Sequence, residues 1–207
     1  MKKAKIEGLK RAIALPAFKH SFLLKIALTH PDYIYQQTHL DPEERERLIL
    51  EHEGLVEVGS TAFFSIVNNY LSSRFRKLGD ATLTIIKSDL ASREMLFQFA
   101  RELKLNKFSL LAESYNWKHK SERKKILAGI FEAVLGAIYL EFNRDLGKTE
   151  KWFSDRFLQT AVNNLLADIF TAELEETKTD FKFLDWIESL GIPYLRCSYG
   201  DRSLAGS

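Results

Sequence analysis

The most regular hydrophobic pattern in the chain lies between Glu51 and Leu71. Apolar residues recur there at steps of three and four, the spacing that places side chains on one face of an α-helix. Near the middle of the segment the apolar residues spread beyond one face, which is typical of a helix buried in the centre of a domain. The pattern therefore predicts a central helix whose apolar positions are Leu55, Val58, Ala62, Phe63, Ile66 and Tyr70.

A strong helix-start signal precedes this segment. Asp41 has the residue type of an N-cap, Pro42 fits the first helical position, and two glutamates follow in the first turn. The helical pattern is predicted to continue to about Phe75, with Gly54 as a candidate break or close-packing point.

Similar patterns predict helices on both sides of the central one. Tyr33–Pro42 and residues 106–123 are polar and are predicted to be loops, and Pro31 is expected to close the second helix. Pro and Gly are few, at 4 and 10 of 207 residues, and strand-like alternation is scarce, so the fold class is predicted to be all-α. The flanking helices are predicted at Ile6–Leu15, Phe22–Leu28 with Ser21 as N-cap, Asp80 or Thr82 to Lys87, Ser92–Glu102, Lys124–Phe142 and Lys148–Phe170.

Charge changes this picture only locally. The formal net charge is +2, but residues 1–25 and 104–125 each carry an excess of Lys and Arg. Such segments are either phosphate-binding surfaces or solvated helix faces.

The single Cys197 excludes an intramolecular disulfide and fits a reducing compartment. No apolar run reaches the roughly 18 residues of a membrane span. We therefore expect a cytoplasmic or organelle-matrix protein without a membrane partner.

Four motifs in order resemble the ribonuclease III family. Phe22–Tyr33 (FLLKIALTHPDY) is similar to its opening helix and L-T-H turn, and Glu53–Phe63 (EGLVEVGSTAF) falls where the family has E-R-L-E-F-L-G-D-x-x-L. Lys87–Leu103 is similar to its R-x-x-L-V-S-R-E-x-L helix pair. Lys124–Leu140 (KKILAGIFEAVLGAIYL) resembles its signature D-x-x-x-A-D-x-F-E-A-x-x-G-A-I-Y-L. The resemblance, over about residues 10–160, implies a helical RNase III endonuclease domain that forms a two-fold dimer and acts on double-stranded RNA.

The resemblance also implies a Mg²⁺ site made of four acids, and three are missing here. Val56, Ser60 and Gly129 stand at acid positions, and only Glu132 is kept as a candidate catalytic residue. Mg²⁺ needs hard oxygen ligands, so no metal cofactor is expected unless the protein is active. We expect the remaining Glu132 to be a buried acid bonded to Ser60 or to the backbone.

Other positions are candidates for RNA contact. The resemblance implies a duplex-sized valley to which each half of the dimer contributes. Double-stranded RNA is recognised mainly through phosphates and 2′-hydroxyls, so this valley could bind RNA without cleaving it. Tyr115 and Trp117 are candidates for base stacking, for closing a core edge or for a subunit contact, and His30 is a candidate for a structural hydrogen bond. The candidate RNA-binding positions are Glu53, Lys87, Arg93, Lys124 and Lys125.

The predicted organisation is a helical domain over residues 1–172, a linker over 173–179 and a short tail over 180–207. The tail resembles the beginning of a double-stranded RNA-binding domain but lacks its second helix. Three functions stay open: a homodimeric binder of structured or double-stranded RNA that does not cleave it, a divergent Mg²⁺-dependent endoribonuclease, and a structural ribonucleoprotein subunit that uses only the dimer surface.

Overall fold

The computed structural model describes residues 3–112, 115 and 119–177, with the backbone alone at residue 3 and residues 170–177. Over these residues the fold is all-α, as the sequence predicts. An isolated parallel bridge joins Thr29 to Leu110, where the Leu110 N–H donates to the Leu28 carbonyl at 2.8 Å.

Ten α-helices follow one another along the described chain. They are α1 (Lys3–Ala12), α2 (Ser21–Ala27), α3 (Pro31–Tyr35), α4 (Pro42–Arg74), α5 (Asp80–Leu90), α6 (Arg93–Glu102), α7 (Leu105–Phe108), α8 (Lys120–Glu141), α9 (Leu146–Phe153) and α10 (Gln159–Thr177). A π-helical turn, Ser154–Leu158, connects α9 to α10.

Helix α4 is the central element that the hydrophobic pattern predicts. It begins as expected, because the Asp41 carboxylate accepts the Glu44 N–H at 2.7 Å and Pro42 is the first helical residue. It runs without interruption for 33 residues, so Gly54 is not a break. At about 1.5 Å of rise per residue, α4 is about 50 Å long.

Helices α4 and α8 pack against each other more extensively than any other pair, and α6 packs on α8. A cluster of phenylalanines fills the space between these helices and the C-terminal ones. Its ring centroids lie 5.1–6.1 Å apart, a range typical of tilted and edge-to-face aromatic pairs. The cluster consists of Phe63, Phe99, Phe131, Phe153 and Phe157.

Several predicted boundaries are wrong. Pro31 begins α3 instead of closing α2, because the His30 ring accepts the Asp32 N–H and caps a short helix in the predicted loop. Ser21 is the first residue of α2 and not its N-cap, which is His20. The predicted loop 106–123 contains most of α7 and the first turn of α8. The predicted helix 148–170 is interrupted by the π turn.

The C-terminal part of the described chain supports α1. The indole N–H of Trp152 donates to the Ile13 carbonyl at 2.8 Å, and the Arg156 guanidinium donates to the Ala12 carbonyl at 2.7 Å. Helix α10 continues through Thr177, so the beginning of the predicted linker 173–179 is helical. The tail 180–207 lies outside the described residues, and the division into domains stays a prediction.

Candidate functional site in the groove between α4 and α8

Two glycines set the distance between α4 and α8. A Cβ built on Gly59 would lie 1.8 Å from the Glu132 carbonyl oxygen, and one built on Gly136 would lie 2.1 Å from the Leu55 carbonyl oxygen. Real Cβ atoms do not approach backbone oxygens this closely, so the two backbones are in direct contact. The contact fixes Glu132 beside the C-terminal half of α4.

A groove of about 910 Å³ opens along one side of this crossing. All four positions that the family resemblance assigns to metal-binding acids line it: Val56 and Ser60 from α4, and Gly129 and Glu132 from α8. The structure therefore brings these four positions together in one groove. Val56 and Gly129 contribute no side-chain oxygen or nitrogen, so the floor of the groove is largely apolar.

The one retained acid is held by a neutral neighbour. Glu132 is partly buried, and this burial raises the pKa of its carboxyl group above the ordinary value. The Ser60 hydroxyl donates a hydrogen bond to Glu132 and offsets part of that rise. Ser60 is thus one of the two partners expected for Glu132. Among the described residues, no histidine is hydrogen-bonded to either group, so Ser60 lacks the base that an activated serine needs.

Polar side chains that the sequence analysis did not assign to the site close one end of the groove. His52 is 4% exposed, and its Nδ1 donates to the Ile26 carbonyl oxygen at 3.1 Å. Burial lowers the pKa of His52. Its position one turn before Val56 on α4 was the available signal, since residues four apart share a helix face.

His30 makes the structural hydrogen bond expected of it. Its Nδ1 accepts the Asp32 N–H at 3.3 Å and lies 3.2 Å from the Tyr115 hydroxyl, which donates to the Asp32 carboxylate. Burial lowers the pKa of His30, and burial together with Asp32 raises the pKa of Tyr115. Tyr115 therefore lines the edge of the groove and also packs against the core. Trp117 lies outside the described residues.

The predicted RNA-binding positions do not form one surface in the groove. Glu53 and Lys125 line it, whereas Lys87 and Arg93 do not. Lys124 is paired with Glu94, so its charge is partly offset. The remaining charge of the lining is mostly negative, because one lysine and two histidines face the carboxylates of Asp32, Glu53, Glu57, Glu122 and Glu132.

A family model described as Ribonuclease-III-like matches residues 20–161, which is more than half of the chain. The chain belongs to the ribonuclease III family.

Curated relatives agree with this assignment. Ribonuclease 3 of Oleidesulfovibrio alaskensis is 33% identical over 162 residues, which cover 77% of this chain and 67% of that protein. Ribonuclease 3 of Chloroflexus aggregans is 29% identical over 162 residues, covering 76% of this chain and 68% of that protein. The chain spans between about half and about three quarters of the length of the curated relatives it matches.

A solved relative has the same fold. The nuclease domain of ribonuclease III from Campylobacter jejuni superposes with a TM-score of 0.56 at 25% identity, over 77% of this chain and 96% of that domain. Helix α1 lies outside the region matched by the family model.

In the described part of the chain, no helix is both long and apolar enough to cross a membrane.

The residues of the groove do not fit the family's Mg²⁺ site. Magnesium ions in proteins are bound through carboxylate oxygens, and here two of the four positions have no oxygen in their side chains. The third position is Ser60, whose hydroxyl donates a hydrogen bond to Glu132 at the fourth position. Among the described residues, no group of three or more His, Cys, Asp or Glu side chains is arranged to hold a metal ion.

Proposed function

We propose that the protein is a ribonuclease III-type domain that binds structured or double-stranded RNA without cleaving it. The observation that carries the proposal is that the close packing of α4 and α8 is present while the groove beside it has few of the expected acidic side chains. The Gly59–Gly136 crossing holds α4 and α8 in contact, while Val56, Ser60 and Gly129 line the groove beside it at positions that the family resemblance assigns to acids. The relatives are named Ribonuclease 3, which supports RNA as the ligand class.

The acidic lining of the groove affects how RNA would bind. Without a metal ion, phosphates gain nothing from the groove carboxylates and are repelled by them. The phosphate contacts are therefore expected at basic side chains outside the floor, with Lys125 at its edge as the exception. Lys87 and Arg93 are the other candidates, while Lys124 would first have to leave Glu94.

A two-fold dimer is part of the proposal. Leu50 and Phe64 on α4 are 60% and 52% exposed. They are fourteen residues apart, close to four turns, and so lie on one face of the helix. Exposed apolar side chains on one helix face are suited to burial against a second copy. Sedimentation equilibrium of the purified protein is expected to give twice the chain mass of 23.9 kDa.

The nuclease arm of the test uses duplex RNA with Mg²⁺ or Mn²⁺. The unmodified protein is expected to leave the duplex intact, and cleavage by it would refute the proposal in favour of the divergent endoribonuclease. The triple variant Val56→Glu, Ser60→Asp, Gly129→Asp is expected to gain Mg²⁺-dependent cleavage. Gly129 has room for a side chain, since a Cβ there meets nothing within 4 Å. The matched control Val56→Gln, Ser60→Asn, Gly129→Asn adds similar volume without charge.

The binding arm measures duplex RNA affinity against salt concentration. Phosphate contacts release counterions, so the affinity is expected to fall steeply as salt rises. The acidic lining of the groove favours the structural ribonucleoprotein subunit as a second candidate, because such a subunit needs no phosphate contact there. That candidate predicts no measurable affinity for duplex RNA at any salt concentration.

A further inference from the structure

A second concavity lies on the other side of α8, and its chemistry is opposite to that of the groove. We call it the arginine pocket, of about 640 Å³, lined by Phe97, Arg101, Asn106, Arg123 and Leu127. Arg123 and Leu127 are one turn apart on α8, whereas Gly129 and Glu132 line the groove. The two sites therefore use different faces of the same helix.

Two guanidinium groups converge on a single aromatic ring in this pocket. The Cζ of Arg101 lies 5.9 Å from the centroid of the Phe97 ring, and the Cζ of Arg123 lies 5.7 Å from it. Phe97 is 4% exposed and Leu127 is 1% exposed, so the floor of the pocket is part of the buried core. Contact with an aromatic face orients a planar guanidinium and reduces the entropy lost on binding a ligand.

Among the described residues, neither guanidinium has a hydrogen-bond acceptor or an ion-pair partner. No ion pair or hydrogen bond joins Arg101 or Arg123 to another described side chain, and the Nε of Arg123 is buried without an acceptor. Arg156, by contrast, donates to the Ala12 carbonyl oxygen. No carboxylate lines the arginine pocket in the described part of the chain. Two like charges near one ring repel each other, and a bound anion would remove this repulsion.

We infer that the arginine pocket binds a phosphate group. Arginine presents several N–H donors in a planar fork that matches two phosphate oxygens, and Asn106 offers an amide donor at the rim. The basic segment 104–125 supplies both Asn106 and Arg123. The phosphate is either free, as inorganic phosphate or a nucleotide, or part of an RNA backbone.

Inorganic phosphate is the first probe. Thermal unfolding of the full chain is followed while sodium phosphate replaces sodium chloride at constant ionic strength. A ligand that binds only the folded state raises Tm in a saturable way. We expect such a rise for the unmodified protein. The variant Arg101→Gln, Arg123→Gln is expected to weaken phosphate binding by roughly tenfold or more, because it removes both charged hydrogen-bond donors.

Matched variants separate this effect from a general loss of charge or stability. Arg76→Gln, Lys77→Gln removes two exposed positive charges elsewhere and is expected to bind phosphate like the unmodified protein. Arg101→Lys, Arg123→Lys keeps both charges and is expected to retain part of the affinity. The absence of a saturable rise in the unmodified protein would overturn the inference. So would an equal rise in the double glutamine variant.

Duplex RNA and adenosine 5′-monophosphate distinguish the two sources of phosphate. If the pocket holds a backbone phosphate, the glutamine variant binds RNA more weakly, and the salt slope of RNA binding decreases by about 1 for each phosphate that is no longer bound. If the nucleotide binds and the RNA slope is unchanged, the ligand is a free phosphate compound. Failure of all RNA binding would refute the proposed function and leave the result with inorganic phosphate unaffected.

Discussion

Two glycines of α8 stand seven residues apart and have different surroundings. At Gly136 a Cβ would collide with the Leu55 carbonyl, whereas at Gly129 a Cβ would meet nothing within 4 Å. The contact between α4 and α8 therefore requires Gly136, and no contact requires Gly129. Under the proposed function Gly129 stands at an acid position of the family, so the packing between the helices would be retained while the chemistry of the groove differs.

The same contrast holds on α4. Gly59 faces the backbone of α8, and Ser60 beside it faces the groove. Because the crossing and the groove use neighbouring residues on different sides of the helix, substitutions in one can leave the other intact. Under the proposed function, this separation explains how the family fold persists while the residues of the groove differ.

The largest effect is expected from Gly59→Ala. The new methyl group would overlap the Glu132 carbonyl oxygen, so the helices must separate, and we expect a loss of more than about 3 kcal/mol in the free energy of unfolding. Urea denaturation measures this loss. The control is Gly54→Ala on the same helix, where a Cβ meets nothing and a gain of about 0.5–1 kcal/mol is expected. Equal effects at the two glycines would contradict the backbone contact.

The next effect concerns the histidines at the end of the groove. Burial lowers the pKa values of His30 and His52 below 6.5, so the unfolded chain binds more protons than the folded one under mildly acidic conditions. Their contribution to stability is complete above pH 6.5 and is lost as the pH falls through the folded pKa values. The free energy of unfolding, measured by urea denaturation between about pH 8 and about pH 5, should therefore decrease on the acidic side.

One variant isolates the part of this pH dependence due to His52. In His52→Asn the amide nitrogen can still donate to Ile26, but the side chain does not titrate, so the decrease in stability is expected to become shallower. His39→Asn changes an exposed histidine and is expected to keep the full dependence. An unchanged slope in His52→Asn would show that the groove histidine does not contribute.

A smaller effect is expected from Gly129→Ala. Alanine is favoured over glycine inside a helix by about 0.8–1 kcal/mol, and no neighbour opposes the added methyl group. Thermal unfolding should therefore show a modest gain in Tm. A loss of stability would mean that Gly129 serves packing, and the contrast with Gly136 would no longer hold.

The smallest effect is expected from Glu132→Gln. Because burial raises the pKa of Glu132, its contribution to stability is present below pH 4.5 and is lost as the pH rises through the folded pKa. The amide is neutral and still accepts the Ser60 hydroxyl, so urea denaturation at about pH 8 is expected to show this variant slightly more stable than the unmodified protein. Glu57→Gln, an exposed position in the same groove, is the control and should change little.

The sequence predicted those features that depend on local signals. The Asp41–Pro42 start of α4, the beginning of α6 near Ser92 and the apolar period around Phe63 are set by residues near one another in the chain. The joint position of Val56, Ser60, Gly129 and Glu132 followed from the family resemblance. Helix α3 was missed because Pro31 was interpreted as a stop, although proline is also favoured in a first helical turn.

Features that depend on tertiary contacts were not predicted. The arginine pocket requires α6 and α8 to bring Arg101 and Arg123 to the same ring, and no local pattern in either helix specifies this meeting. The π turn within Ser154–Leu158 lies in a segment with a continuous helical period, and the packing of Phe153 and Phe157 in one cluster accompanies it. The basic segment 104–125 did indicate charge at one side of the pocket.

The hydrogen bonds from Trp152 and Arg156 to the end of α1 affect the order in which parts of the protein reach their folded positions during synthesis. The carbonyls of Ile13 and Ala12 receive their donors from residues far along the chain, at sequence separations of 139 and 144. During synthesis the first helix emerges long before those donors do. These two hydrogen bonds can form only after α9 and the following turn have left the ribosome, so the end of α1 is among the last parts of the described chain to be secured.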